Sequence, residues 1–175
     1  MTPALRQPDL NRAKAAAFKL SKRYGFLHPA QMTLEDIAWD RGVVIAPGSL
    51  DGSEARLVRK GKRGIIRVRA GAGEVGRRRF GIAHELGHWE QHEESQWLAC
   101  SAADLRDYKK SPEEAEANTF AAELLMPEGV CRDLVAHYER RYGATPRFLE
   151  HQLAGDLLVS REAARWRLRG LGLTR

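Results

Sequence analysis

His84-Glu85-Leu86-Gly87-His88 sets two imidazoles four positions apart, with a carboxylate directly after the first. On a helix that spacing stacks both rings on one face, where they can share a single metal ion, and zinc is the ion expected for such a pair. Glu85 falls beside them on a helical wheel, which makes it the candidate general base for a hydrolysis. Ile82, Leu86 and Trp89 gather on the opposite side, so the helix can bury one face in a core while the other borders a cleft. Gly87, next to the metal-facing side, is expected to leave room for a substrate backbone. Chance spacing on an ordinary amphipathic helix is the plain alternative. Against it, the chain has only six histidines, and two of them hold ligand spacing on an apolar-backed helix.

A catalytic zinc site takes three protein ligands and keeps a position open for water. His92 follows His88 by four residues, yet His84 and His92 would stand about 12 Å apart along a straight helix rising roughly 1.5 Å per residue, so the three rings cannot meet at one ion. His92 is expected to support the site or to pack beside it. The longer pattern that ends in a glycine and a third histidine is absent, because Gln91 and Glu94 occupy those places. Carboxylates are offered instead by Glu113, Glu114, Glu116 and Glu123 in a following helix. Glu114 shares its face with Asn118, Ala121 and Leu125, whereas Glu116 and Glu123 point nearly the opposite way. Glu114 is therefore the expected third ligand, with Asn118 placed to steady a ligand, and Glu116 and Glu123 are expected to face solvent. Tyr108, His92 and His137 are equally conceivable as donors to an oxyanion.

The elements that must position these groups are legible in the order of the chain. Asn11 to Tyr24 reads as a helix stopped by Gly25, and Thr33-Leu34-Glu35-Asp36 resembles a capping box opening a short helix that ends before Gly42. Val43 to Ala46 reads as a strand. Glu54 to Arg59 and Gly64 to Arg69 bracket Lys60-Gly61-Lys62-Arg63 as a hairpin, giving a small antiparallel sheet. An edge of that hairpin could pair with an extended substrate. The polar stretch Glu93 to Ser111 is expected to be a loop with some helix that walls the cleft. Ser111-Pro112-Glu113-Glu114 opens a helix with a capping residue, a proline at the first position and acids in the first turn, running to about Met126 before Pro127. Another helix spans roughly Val130 to Tyr142.

With 175 residues, 43% hydrophobic and 30% charged, the chain has room for one domain with a substantial core and a small appendage. No apolar run nears the roughly 20 residues that cross a bilayer, and the first residues do not lead into a secretory signal, so a cytoplasmic protein without membrane contact is expected. Cys100 and Cys131 are too few for a disulfide framework and are read as reduced thiols. The net charge of +6 favours an acidic partner or nucleic acid in a general way. The basic hairpin residues, with Arg77, Arg78 and Arg79, read first as solvated surface and second as a nucleic-acid patch.

Arg79-Phe80-Gly81-Ile82-Ala83-His84-Glu85-Leu86-Gly87-His88, followed by Glu114-Ala115-Glu116-Ala117-Asn118-Thr119-Phe120-Ala121-Ala122-Glu123-Leu124-Leu125-Met126-Pro127, resembles the ImmA/IrrE metallo-endopeptidases from about Thr33 to Pro127. The resemblance implies an α+β, zincin-like fold, mostly helical with a small sheet, and zinc held by His84, His88 and Glu114 with Glu85 as the base. It also implies a substrate: a helix-turn-helix repressor, cut to relieve repression of stress or mobile-element genes. Residues 1–142 would form the peptidase domain. Residues 143–175 form a helix-turn-helix-like tail in which Ser160 caps the last helix, Val159, Ala163 and Trp166 pack inward, and Arg161, Arg165 and Arg169 line another face. That tail either reads DNA or docks on the protease. The competing reading is a DNA-binding regulator whose zinc is structural, which would need a fourth protein ligand.

Overall fold

The computed structural model describes residues 6–26, 28–50, 53–71, 74–92 and 111–174. The stretch expected to wall the cleft lies almost wholly outside them, and Cys100 and Tyr108 with it. Among the described residues the chain forms α1 (Leu10–Tyr24), a 3-10 turn (Pro29–Gln31), α2 (Leu34–Asp40), β1 (Val43–Gly48), β2 (Ala55–Lys60), β3 (Arg63–Arg69), α3 (Val75–Gln91), α4 (Pro112–Leu125), α5 (Glu128–Tyr142), α6 (Pro146–Leu157) and α7 (Arg161–Gly170). No helix among them is long and apolar enough to cross a membrane.

The architecture is α+β, and the sheet is mixed. β2 and β3 form the antiparallel hairpin, with Lys60 opposite Arg63 and Gly61 at φ 59° in the turn, where a primed turn favours glycine. β1 reaches the other edge of β3 in parallel, giving the order β1-β3-β2. The antiparallel expectation thus holds for the hairpin alone. β2, next after β1 in the chain, lies on the far side of β3, so β1 pairs in parallel with the strand after next. On β3 alternate residues Gly64, Ile66 and Val68 are buried and Arg63, Ile65, Arg67 and Arg69 are exposed, the period of two expected for a sheet with one covered face.

The covering element is α3. Trp89 lies so close to Gly64 that a Cβ there would sit 2.8 Å from Trp89 Cζ3. Arg59 stacks on the Trp89 ring at 3.9 Å and donates to the carbonyls of Trp89 and His92, so a cation caps the exposed carbonyls at the end of α3. α4 crosses α3 where Gly87 meets Ala117: a Cβ on Gly87 would stand 3.1 Å from Ala117 Cα. Gly87 therefore serves helix packing, not substrate clearance. α1 lies along α4 through Ala13, Ala17 and Leu20, whose spacing gives one narrow apolar face. Ser111 caps α4 and Gly25 ends α1 at φ 62°, both as the sequence implies, and Asp9 caps α1, which begins at Leu10. Thr33 begins α2 without a side-chain cap bond.

The last helices share the same core. Leu149, Leu153, Leu157, Val159, Ala164 and Leu168 are buried in one cluster with the side chains of α1, α3 and α4. A Cβ on Gly76 would come within 2.3 Å of Val159 C and Ser160 N, so the turn between α6 and α7 abuts the start of α3. Ser160 does cap α7, accepting from the Ala163 N–H. Trp166, expected inside, is 65% exposed, while Ala164 and Leu168 are buried. The reason is phase: Val159 precedes the cap, so counting a helical face from it points one residue away from the true one.

Candidate metal centre

The crossing of α3 and α4 brings the sequence-derived residues together. His84 Nε2 and His88 Nε2 lie 3.1 Å apart, and Glu114 places Oε1 2.9 Å from His88 Nε2 and Oε2 3.4 Å from His84 Nε2. These ligand atoms all fall within 4.8 Å of one another. Two nitrogens held about 2.0–2.1 Å from one ion at tetrahedral angles would stand about 3.3 Å apart, so the converging lone pairs fit a zinc ion. Their place is the floor of a cleft of about 980 Å³ whose walls include Leu57 on β2, Asn118 on α4 and Trp166 on α7. His137, one of the three conceivable oxyanion donors, is exposed on α5 and is not among the cleft-lining residues.

The electrostatics follow from burial and neighbours. Burial works to raise the Glu114 pKa, but hydrogen bonds from His84 and His88, reinforced by their charge, hold it down at about 2. For His84, burial opposes the charged form, yet Glu114 and Glu85 together raise its pKa above the ordinary value. Glu85 is shifted upward, chiefly by burial, against the pull of both histidines and of the Leu57 N–H. That N–H donates to Glu85 Oε2 at 2.9 Å, which ties the carboxylate to the free edge of strand β2 where it lines the cleft.

The far nitrogens of the histidines are also engaged. His84 Nδ1 donates to Asn118 Oδ1 at 3.0 Å, the steadying contact expected for Asn118. His88 Nδ1 lies 3.0 Å from His92 Nδ1, and His92 Nε2 lies 2.9 Å from Glu116 Oε2. The expectation that Glu116 faces solvent is overturned: its side chain is 0% exposed. Arg6, Arg12 and the Asp9 N–H all donate to it. Burial favours its neutral form, but these donors and His92 hold its pKa at about 2. Glu123 is also drawn in, largely buried, accepting from Arg167 and from the Glu128 N–H. The signal for Glu116 was present but faint, since His92 repeats the four-residue step after His88 and Glu116 follows Glu114 by two. Nothing local indicates that α1 covers that face.

Residues 40–169 match the peptidase M78 family, described as an IrrE N-terminal-like domain. The chain belongs to this metallopeptidase family. Its match takes in both halves of the metal centre and most of the terminal helices. A solved structure of a Mycobacterium tuberculosis transcriptional regulator superposes with a TM-score of 0.60 at 20% identity, covering 88% of this chain and 45% of that one. The likeness shows a shared fold, and this chain spans less than half the length of that protein. No curated protein matches the sequence.

Proposed function

We propose that this M78-family chain is a zinc-dependent endopeptidase that cuts one helix-turn-helix repressor and so derepresses the genes it controls. The observation that carries the reading is the convergence of His84, His88 and Glu114 within 4.8 Å on a cleft floor, with Glu85 beside them. Zinc, when bound, supplies a lowered pKa for water and polarisation of the scissile carbonyl. His84 and His88 would offer their Nε2 lone pairs and Glu114 its carboxylate. Glu85, held through Oε2 by the Leu57 N–H, keeps Oε1 to receive a proton, and its upward pKa shift brings it nearer the pH at which a base both accepts and returns one. It would then deliver that proton to the leaving amine nitrogen.

Substrate would enter as an extended segment along β2, whose outward edge borders the cleft from Ala55 to Arg59. Lys60, Lys62 and Arg63 at the hairpin end would add charge for an acidic partner. Residues 143–175 are read as a helical module docked on a 1–142 peptidase unit, with Arg161 and Arg169 exposed for a contact with the repressor or its DNA.

The test offers zinc-loaded protein a panel of helix-turn-helix repressors and casein. Cleavage of one repressor, lost in Glu85→Gln and weakened when Lys60, Lys62 and Arg63 become alanine, is expected. Efficient digestion of casein with every repressor intact would contradict the substrate class, and a fully active Glu85→Gln would remove Glu85 as the base.

A further inference from the structure

The buried chain His88–His92–Glu116 has a direction. A histidine that gives Nε2 to a metal must carry its proton on Nδ1, because the ligating nitrogen needs its lone pair. His88 Nδ1–H therefore needs an acceptor, and what lies 3.0 Å away is His92 Nδ1. A neutral imidazole accepts through one nitrogen only if its proton sits on the other. His92 must then be protonated at Nε2, and that nitrogen faces Glu116 Oε2 at 2.9 Å. Glu116 is a carboxylate that can only accept, with Oε1 taking the Asp9 N–H at 2.7 Å and Arg6 at 2.7 Å, and Oε2 taking Arg12 at 2.9 Å.

We infer that His92 and Glu116 are positioning residues that fix the tautomer and ring angle of His88 for metal, and that the segment Arg6–Arg12 anchors them. The acceptor at one end sets every proton along the row. With Glu116 ionised and fully donated to, His92 has no acceptor for a proton on Nδ1, and the arrangement that would oppose His88 Nδ1–H is disfavoured. The surroundings leave little choice. His92 is 7% exposed and Glu116 0%, so water cannot substitute freely for either partner, and a buried mismatch of two facing N–H groups is costly. The same arrangement explains why the segment before α1 lies against α4: Arg6 and Arg12 neutralise a carboxylate that could not stay ionised alone in that position.

This inference rests on the zinc assignment proposed above, and its test separates the two. Histidine 15N NMR on the zinc-loaded full chain should show His92 protonated at Nε2 with a bare Nδ1. His92→Leu should weaken zinc affinity, read by chelator competition, by about 10–100-fold, the range for lost outer partners of metal-bound histidine. His92→Gln keeps an acceptor and a donor on adjacent atoms and should recover most of that loss, to within about threefold of the parent. The visible spectrum of the cobalt-substituted protein should change in the leucine variant and be restored in the glutamine variant. A packing role predicts the reverse order, since leucine is the better tenant of an apolar interior than glutamine. His92 protonated at Nδ1, or leucine and glutamine variants equal in zinc affinity, would overturn the inference while leaving the zinc site intact. Failure of the parent protein to bind zinc at all would instead overturn the functional reading. The wild-type NMR decides the matter even if the leucine variant does not fold.

Discussion

The crossing of α3 with α4 and the docking of α6 and α7 on the start of α3 are both buried contacts, and they differ in the balance of polar and apolar groups. The crossing, beside its apolar contacts, carries a row of polar groups that pair with one another: His84 with Asn118, His88 with His92, His92 with Glu116. At the docking site the buried groups are mostly aliphatic, and polar ones are few: Glu150, which accepts from the half-exposed Arg165, Ser160 at the start of α7, and the largely buried pair of Arg167 with Glu123. The first arrangement fixes atoms in direction, because hydrogen bonds are directional. The second fixes only area, because burial of apolar surface is not. A change at the crossing should therefore alter chemistry with the fold retained, and a change at the docking site should alter stability with the chemistry retained.

The largest separation is expected from Glu85→Gln. The amide fills the same space and cannot take a proton, so peptide cleavage should fall by about 10²–10⁴-fold while zinc content and melting temperature stay near the parent's. Next comes Leu168→Ala, which empties a fully buried position of α7 and should cost about 2–5 kcal/mol in denaturant unfolding, with zinc affinity of the folded protein unchanged. Gly87→Ala probes where the two kinds of contact meet. Its methyl would press on Ala117 at 3.1 Å, costing about 1–3 kcal/mol, and by moving Glu114 away from the histidines it should also lower zinc affinity. If stability falls and zinc binding does not, the crossing is less tightly coupled to the site than argued.

The smallest effect belongs to Tyr138, which donates to Asp156 Oδ2 at 2.6 Å and joins α5 to α6. That hydrogen bond first, and burial second, push its pKa up to about 12 from 10.0. The folded state thus holds the phenol proton more tightly than the unfolded chain. The contribution is complete below pH 10 and disappears as the pH rises from 10 to about 12. Tyr138→Phe should cost about 1 kcal/mol at neutral pH and flatten the alkaline loss of stability. An unchanged alkaline profile would show that this pair does not help hold the terminal helices.

Much of this was legible in the sequence, for reasons that differ by residue. The convergence of His84, His88 and Glu114 was legible because helical periodicity is local: each side chain's direction follows from its distance to neighbours a turn away. The helix ends at Gly25, Ser111 and Ser160 were legible for the same reason. Glu116 reads as solvent-facing because its burial depends on Arg6 and Arg12, 104 to 110 positions upstream, and no local pattern carries that contact. Gly87 reads as substrate clearance because a glycine beside a metal-facing residue and one beneath a crossing helix look alike until the second helix is placed. The parallel pairing of β1 belongs to the same class, since it depends on the path of the chain between strands. Trp166 is a different error, one of phase, arising where a face was counted through a non-helical residue.

X-ray absorption at the zinc edge, on the parent protein and on Glu114→Ala, tests the central claim most directly. The account predicts one zinc per chain, bound by two imidazole nitrogens at about 2.0–2.1 Å with the remaining contacts from oxygen, and loss of that zinc in the variant. A closed site with a fourth protein ligand, or a Glu114→Ala variant whose zinc shell is unchanged, would contradict it.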